Sequence, residues 1–208
     1  ASRGEYLNAK LISLYFGFEF LDSAEVIRLG DRGEILPETY DLIREAVDPD
    51  KYYVVPGFYG LGPDGEIKTF SRGGSDITGS IYSKALEADI YENWTDVSGI
   101  YTTDPRVAEA ARPIDDITYR EMREMAYLGA NVFHEEAIAP ARQADISINI
   151  KNTNAPGDRG TFINSVRDAS KQAVAGIAGK RHFRRITVEK YKLEDMHELH
   201  FELKKALG

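Results

Sequence analysis

"TFSRGGSDITG", residues 69–79, joins the end of one extended segment to the start of a helix through a glycine pair. Thr69 and Phe70 close a strand, Gly73-Gly74 let the backbone turn, and Ser75 opens a helix whose apolar stripe is Ile77, Ile81 and Ala85. A strand that runs into a helix in this way is the repeating unit of an α/β domain. Free N–H groups and the positive end of the helix dipole then face outward, which suits an anion. Arg72 adds a planar fork that matches a carboxylate or phosphate. The segment also has a plainer reading: a turn, with Ser75 as cap and Arg72 in solvent. Short glycine motifs recur by chance, and taken alone this segment favours that reading.

Working outward, residues 5–18 read as a helix, 24–29 as a short strand and 37–47 as a helix with Pro37 in its first turn. "KYYVVPGFYGL" (51–61) reads as a buried strand ended by Pro56-Gly57, and "GPDGEIKTF" (62–70) as a hairpin turning at Pro63-Asp64-Gly65. After the 75–86 helix, residues 88–106 begin as a strand and become a loop. "TYREMREMAYLG" (118–129) is a helix with a Thr118/Glu121 capping box and Gly129 as its stop. Residues 134–145 form another helix despite Pro140, 146–152 a strand, and 158–163 a short edge strand. The alternation predicts an α/β domain with a mainly parallel sheet.

The small-residue stretch 169–180 shifts composition, and one strand (184–193) and one helix (196–208) follow it. A lone βα unit cannot cover its own apolar face, so more chain is expected beyond it. The opening residues raise the same expectation upstream. There is no initiator Met, and Leu7, Leu11, Leu14 and Tyr15 recur at helical spacing as in a core helix.

The 208 residues are 42% hydrophobic and 29% charged, which suits a globular chain with a sizeable core. A net charge of −8 argues against nucleic acid or an anionic membrane as the main partner. Without cysteine there is no disulfide, thiolate metal site or Cys nucleophile. The histidines at 134, 182, 197 and 200 form no H-E-x-x-H pattern; His197 and His200, three apart, read as a solvated helix face. No apolar run reaches the roughly 18–20 residues of a membrane span, and no signal peptide opens the chain. A cytoplasmic protein is expected.

Three further segments bear chemistry. "WTDVSGIYTTDPR" (94–106) mixes apolar and aromatic groups with hydroxyls and one Arg, suited either to a purine and ribose or to a loop packed on itself. In "RGEYLNAKL" (3–11), Glu5 either complements the helix dipole or holds a substrate ammonium. With Arg72 it would make a clamp for an amino acid. In "LGANVFHEE" (128–136), Asn131 reads as a helix C-cap.

In order, "RGE" (3–5), "VVPGFYG" (54–60), "FSRGGSDITGS" (70–80), "WTDVSGIYTTDPR" (94–106), "EMAYLGANVFHEEAI" (124–138) and "NAPGDRGTFI" (154–163) resemble the aspartokinases of the amino acid kinase family. The resemblance spans roughly residues 3–163, and this collinear combination outweighs the plainer reading each segment has alone. It implies a three-layer open α/β sheet, mainly parallel, with helices on both faces and carbamate kinase-like. Residues 1–165 would be the C-terminal part of the catalytic domain and 166–185 a linker. Residues 186–208 would start an α+β ACT-like regulatory domain.

The resemblance implies ATP-dependent phosphorylation of the L-aspartate side-chain carboxylate, the entry to lysine, threonine and methionine synthesis. Glu5, Arg72, Gly73 and Ser75 would bind aspartate, and Asp76 would be catalytic by orienting the reacting groups. Thr95, Asp96, Tyr101, Arg106, Asn131 and Val132 would bind ATP, with Mg²⁺ bridging its oxygens. It further implies a homo-oligomer and a feedback amino acid, lysine or threonine.

Three departures qualify this. The family's Lys-Phe-Gly-Gly phosphate motif is absent, since the only Gly-Gly pair is 73–74, so this chain alone is expected to be inactive. Asn131 stands where many relatives carry Lys. The ACT-like part stops before it completes an effector site. The rival readings are another amino acid kinase, such as glutamate 5-kinase, and a non-catalytic ligand-binding subunit.

Overall fold

The computed structural model describes residues 2–70, 73–128, 135–170 and 172–179. Arg72, Asn131, Val132, Gly129, the four histidines and the ACT-like segment 186–208 lie outside the described residues, as does the strand–helix pair expected there.

The chain opens with α1 (Ser2–Phe16), which runs into β1 (Glu19–Phe20). Residues 24–29, expected as a strand, instead hold the one-turn helix α2 (Ser23–Val26). Asp22 decides this: its Oδ1 accepts from the Ala24 amide at 3.0 Å and so caps the turn. Extended backbone returns only at Arg28 and Leu29, which make isolated bridges to Leu61 and Ile35. Next comes α3 (Glu38–Ala46), with Pro37 at its N-cap.

The 51–61 segment divides into β2 (Tyr53–Val54) and β3 (Tyr59–Leu61) around Pro56-Gly57. β2 pairs in parallel with β1, and β3 pairs antiparallel with β4 (Ile67–Thr69) across the expected turn. Helix α4 (Gly74–Ala85) follows, and its predicted stripe of Ile77, Ile81 and Ala85 is buried.

The main sheet is built from β5 (Ile90–Thr95), β6 (Asp116–Thr118), β7 (Ser147–Asn152) and β8 (Thr161–Asn164) in the order β5-β7-β8-β6. β5–β7 and β6–β8 are parallel, while β7–β8 is antiparallel. β8 is therefore not an edge strand: β6, which sequence patterning did not single out, covers its outer side. Helices α5 (Tyr119–Tyr127) and α6 (Glu135–Gln143) pack beside the sheet. The Thr118/Glu121 capping box starts α5 as expected.

Two buried clusters result. One joins Ile117, Ile148, Ile150 and Ile163 of the sheet to Met122 of α5 and Ile138 of α6. The other joins Ile27, Leu29 and Ile43 to Phe70, Ile77 and Ile81. Ala175 enters the first cluster, so the stretch after β8 folds back on the domain. In contrast, Leu7, Leu11, Leu14 and Tyr15 of α1 are exposed, not core. Among the described residues no helix is long and apolar enough to cross a membrane.

Candidate active site

Gly73 ends the approach to α4 in the left-handed region, at φ 56° and ψ 31°, and caps the helix with no side chain. The helix thus begins at Gly74 rather than Ser75, and the exposed Ser75 side chain caps nothing. The leading N–H groups of an α-helix have no partner within it, so the positive end of α4 lies at Gly74, Ser75 and Asp76.

Close packing fixes this mouth. A Cβ on Gly74 would stand 2.9 Å from the Phe58 Cα, and one on Gly57 3.0 Å from the Ser75 Cα. Phe58 itself is held at φ 87°, a costly conformation for a bulky residue, which its surroundings must impose. Two hydrogen bonds do so in part: the Phe58 amide donates to Thr78 Oγ1 at 3.1 Å, and that hydroxyl donates to the Gly74 carbonyl at 2.9 Å.

Asp76, half-buried in the first turn, meets β5. Its Oδ1 accepts from Asn93 Nδ2 at 2.8 Å, and its backbone carbonyl accepts from the Tyr91 hydroxyl at 3.3 Å. Burial, with the Asp76 charge adding, pushes the Tyr91 hydroxyl up to about 12, so it stays a proton donor at neutral pH. Asn93, a neutral amide, was not among the site residues expected from the sequence. The signal was available in strand alternation, which places Tyr91, Asn93 and Thr95 on one face of β5.

Thr95 ends β5, and its carbonyl accepts from the Thr153 amide at 2.8 Å. Its hydroxyl donates to Asp96 at 3.3 Å, so these two candidate nucleotide residues touch. The loop after them is tied down by Ser98, which donates to Asp158 at 2.7 Å and accepts from Asn152 at 2.9 Å. Gly99, at φ 97°, passes so close to β8 that a Cβ would lie 2.9 Å from the Thr161 amide. The Thr161 hydroxyl accepts from the Ile100 amide at 2.8 Å and donates to the Ile114 carbonyl at 2.6 Å. Tyr101 continues as a bridge to Pro113.

Arg106 is turned onto Asp104, with contacts of 2.8–3.3 Å, at the surface. Glu5 stands exposed in the first turn of α1. Thus the structure joins Gly73, Ser75 and Asp76 in one helix mouth and couples that mouth to Thr95 through β5. Arg72, Asn131 and Val132 lie outside the described residues. Among the described residues no three acidic or His groups converge to hold a metal ion. A cleft of about 720 Å³ lies at the far, carbonyl end of α4, lined by Tyr40, Arg44, Lys84 and Asp89, and is remote from Gly73.

The model of the amino acid kinase family matches residues 1–152. Aspartokinase 3 of Bacillus subtilis is 43% identical over 198 residues, covering 90% of this chain and 43% of that protein. The crystal structure of Clostridium acetobutylicum aspartate kinase superposes with a TM-score of 0.80 at 49% identity, covering 85% of this chain and 41% of that one. Escherichia coli aspartokinase III, solved with aspartate and ADP, gives 0.72 at 34% identity, covering 80% and 40%. The chain therefore spans about two-fifths of the length of these relatives.

Proposed function

The chain belongs to the amino acid kinase family, and on that premise we propose that the whole protein phosphorylates the side-chain carboxylate of L-aspartate with ATP, giving 4-phospho-L-aspartate. The likeness to aspartokinases along nine-tenths of the chain carries this reading.

The residues suit the chemistry. Phosphoryl transfer asks for positioning and charge neutralisation rather than a covalent nucleophile. Arg72 grips the α-carboxylate of aspartate and Glu5 its ammonium, while Gly73 and Ser75 offer backbone N–H groups and a hydroxyl at the mouth of α4. Asp76 orients the reacting groups. Thr95, Asp96, Tyr101, Arg106, Asn131 and Val132 hold ATP, with Arg106 leaving Asp104 to do so. Mg²⁺ would enter with ATP and neutralise charge on its phosphates. A feedback amino acid, lysine or threonine, and a homo-oligomeric assembly belong to the same reading.

The test is a substrate panel with the full-length protein and ATP. Acyl phosphate formed from L-aspartate, and not from L-glutamate, is expected. Phosphorylation of glutamate alone would make the protein a different amino acid kinase, and no turnover of either would leave it a binding subunit.

A further inference from the structure

Asp76 is held by more than its own helix. Asn93 on β5 donates one amide hydrogen to Asp76 Oδ1 at 2.8 Å and the other to the Tyr91 hydroxyl at 3.1 Å. Tyr91 in turn donates to the Asp76 carbonyl at 3.3 Å. A carboxylate takes hydrogen bonds, so the amide must present its nitrogen, and the Tyr91 proton is then left for the carbonyl. The three groups form a closed set in which each donor has one acceptor. The second Asp76 oxygen, Oδ2, has no partner among the described residues. It lies on the Gly73 side, 3.7 Å from the position of a Cβ on that glycine.

An amide is an uncommon choice on the inward face of a strand, where β-branched or aromatic side chains pack better. Its partial burial costs free energy unless hydrogen bonds compensate, and Asp76 and Tyr91 supply them. Two residues on, the same face ends in Thr95. Asn93 thus joins the helix proposed to receive aspartate to the strand proposed to reach ATP.

We infer that Asn93 is a positioning residue for the phosphoryl transfer: by holding Oδ1 of Asp76 it fixes the rotamer that points Oδ2 into the mouth of α4. This rests on the aspartate kinase reading, and the experiment separates the two. Full-length wild type, Asn93→Leu and Asn93→Asp are assayed for kcat, for both KM values and for thermal midpoint, across pH 6–9. In Asn93→Leu the carboxylate is released, and kcat is expected to fall by about 10- to 100-fold with KM for aspartate and ATP little changed. In Asn93→Asp two carboxylates face each other and share a proton more readily as pH falls. Its deficit is therefore largest at high pH and shrinks towards pH 6, while that of the Leu variant stays flat. Tyr91 is a titratable group that faces Asp76, whereas Glu92 and Lys151 lie on the opposite face of the sheet.

Wild-type kcat across the whole pH range in either folded variant overturns the inference, as does a deficit that follows only KM or the folded fraction. If the Leu variant does not fold, the pH profile of the Asp variant decides. A wild type that never phosphorylates aspartate overturns the proposed function instead.

Discussion

Glu121 holds the Arg167 guanidinium with both oxygens, at 2.6 and 2.7 Å, while its Oε2 also accepts from the Thr118 amide at 3.0 Å. One carboxylate therefore starts α5 and anchors the chain that leaves β8. Arg167, together with the Thr118 contacts, lowers its pKa from an ordinary 4.5 to about 2. A lowered pKa in the folded state adds stability above the unfolded value, and that stability is lost as pH falls towards the folded one. Glu121→Gln should cost about 2 kcal/mol near neutral pH. In urea unfolding, the gap between wild type and variant should be full above about pH 4.5 and close towards pH 2. A gap that does not change over this range would show that the charge contributes nothing.

Gly74→Ala tests the packing of the α4 mouth. The new Cβ would press on the Phe58 Cα and ring, and backbone cannot step aside as a flexible side chain would. A loss of about 1–3 kcal/mol is expected by thermal unfolding. In the full-length protein the KM for the proposed substrate, aspartate, should rise as well. Wild-type values of both would show that Phe58 can move.

Thr161→Val keeps the volume and removes the hydroxyl that serves the Ile100 amide and the Ile114 carbonyl. Two buried backbone groups then lack partners, at a cost of about 2–4 kcal/mol. Thr161→Ser should lose much less. Because the 96–101 loop carries nucleotide candidates, weaker ATP binding by the Val variant, measured by calorimetry, is the functional counterpart.

Arg72→Ala addresses the proposed acceptor clamp directly. Loss of a bidentate charge pair should raise the aspartate KM by about 30-fold or more, equivalent to ~2 kcal/mol, with little change in the ATP KM. An unchanged aspartate KM would remove Arg72 from the site.

Features set by neighbouring residues were legible in the sequence. The Thr118/Glu121 box, the Pro63-Asp64-Gly65 turn and the Ile77/Ile81/Ala85 stripe each depend on a few adjacent positions. Features set by distant partners were not. β8 looks like an edge strand until β6 is found beside it; residues 24–29 are instead a local miss, since the Asp22 cap that starts a helical turn there is only two positions from Ala24. At the site, charged residues and glycines stood out, whereas Asn93 is a neutral amide whose value depends on Asp76, 17 positions away. The α1 stripe shows the opposite error, since helical periodicity identifies an apolar face but not what covers it.

That face governs how the chain behaves as a colloid. Leu7, Leu11, Leu14 and Tyr15 continue into stacked rings, Phe16 on Phe18 and Phe18 on Tyr52. So long a bare apolar ridge attracts copies of itself. The net charge of −8 opposes that attraction, but only across distances that salt shortens. The isolated chain should therefore scatter more light as ionic strength rises, and charged substitutions at Leu11 and Tyr15 should keep it monodisperse in the same buffers.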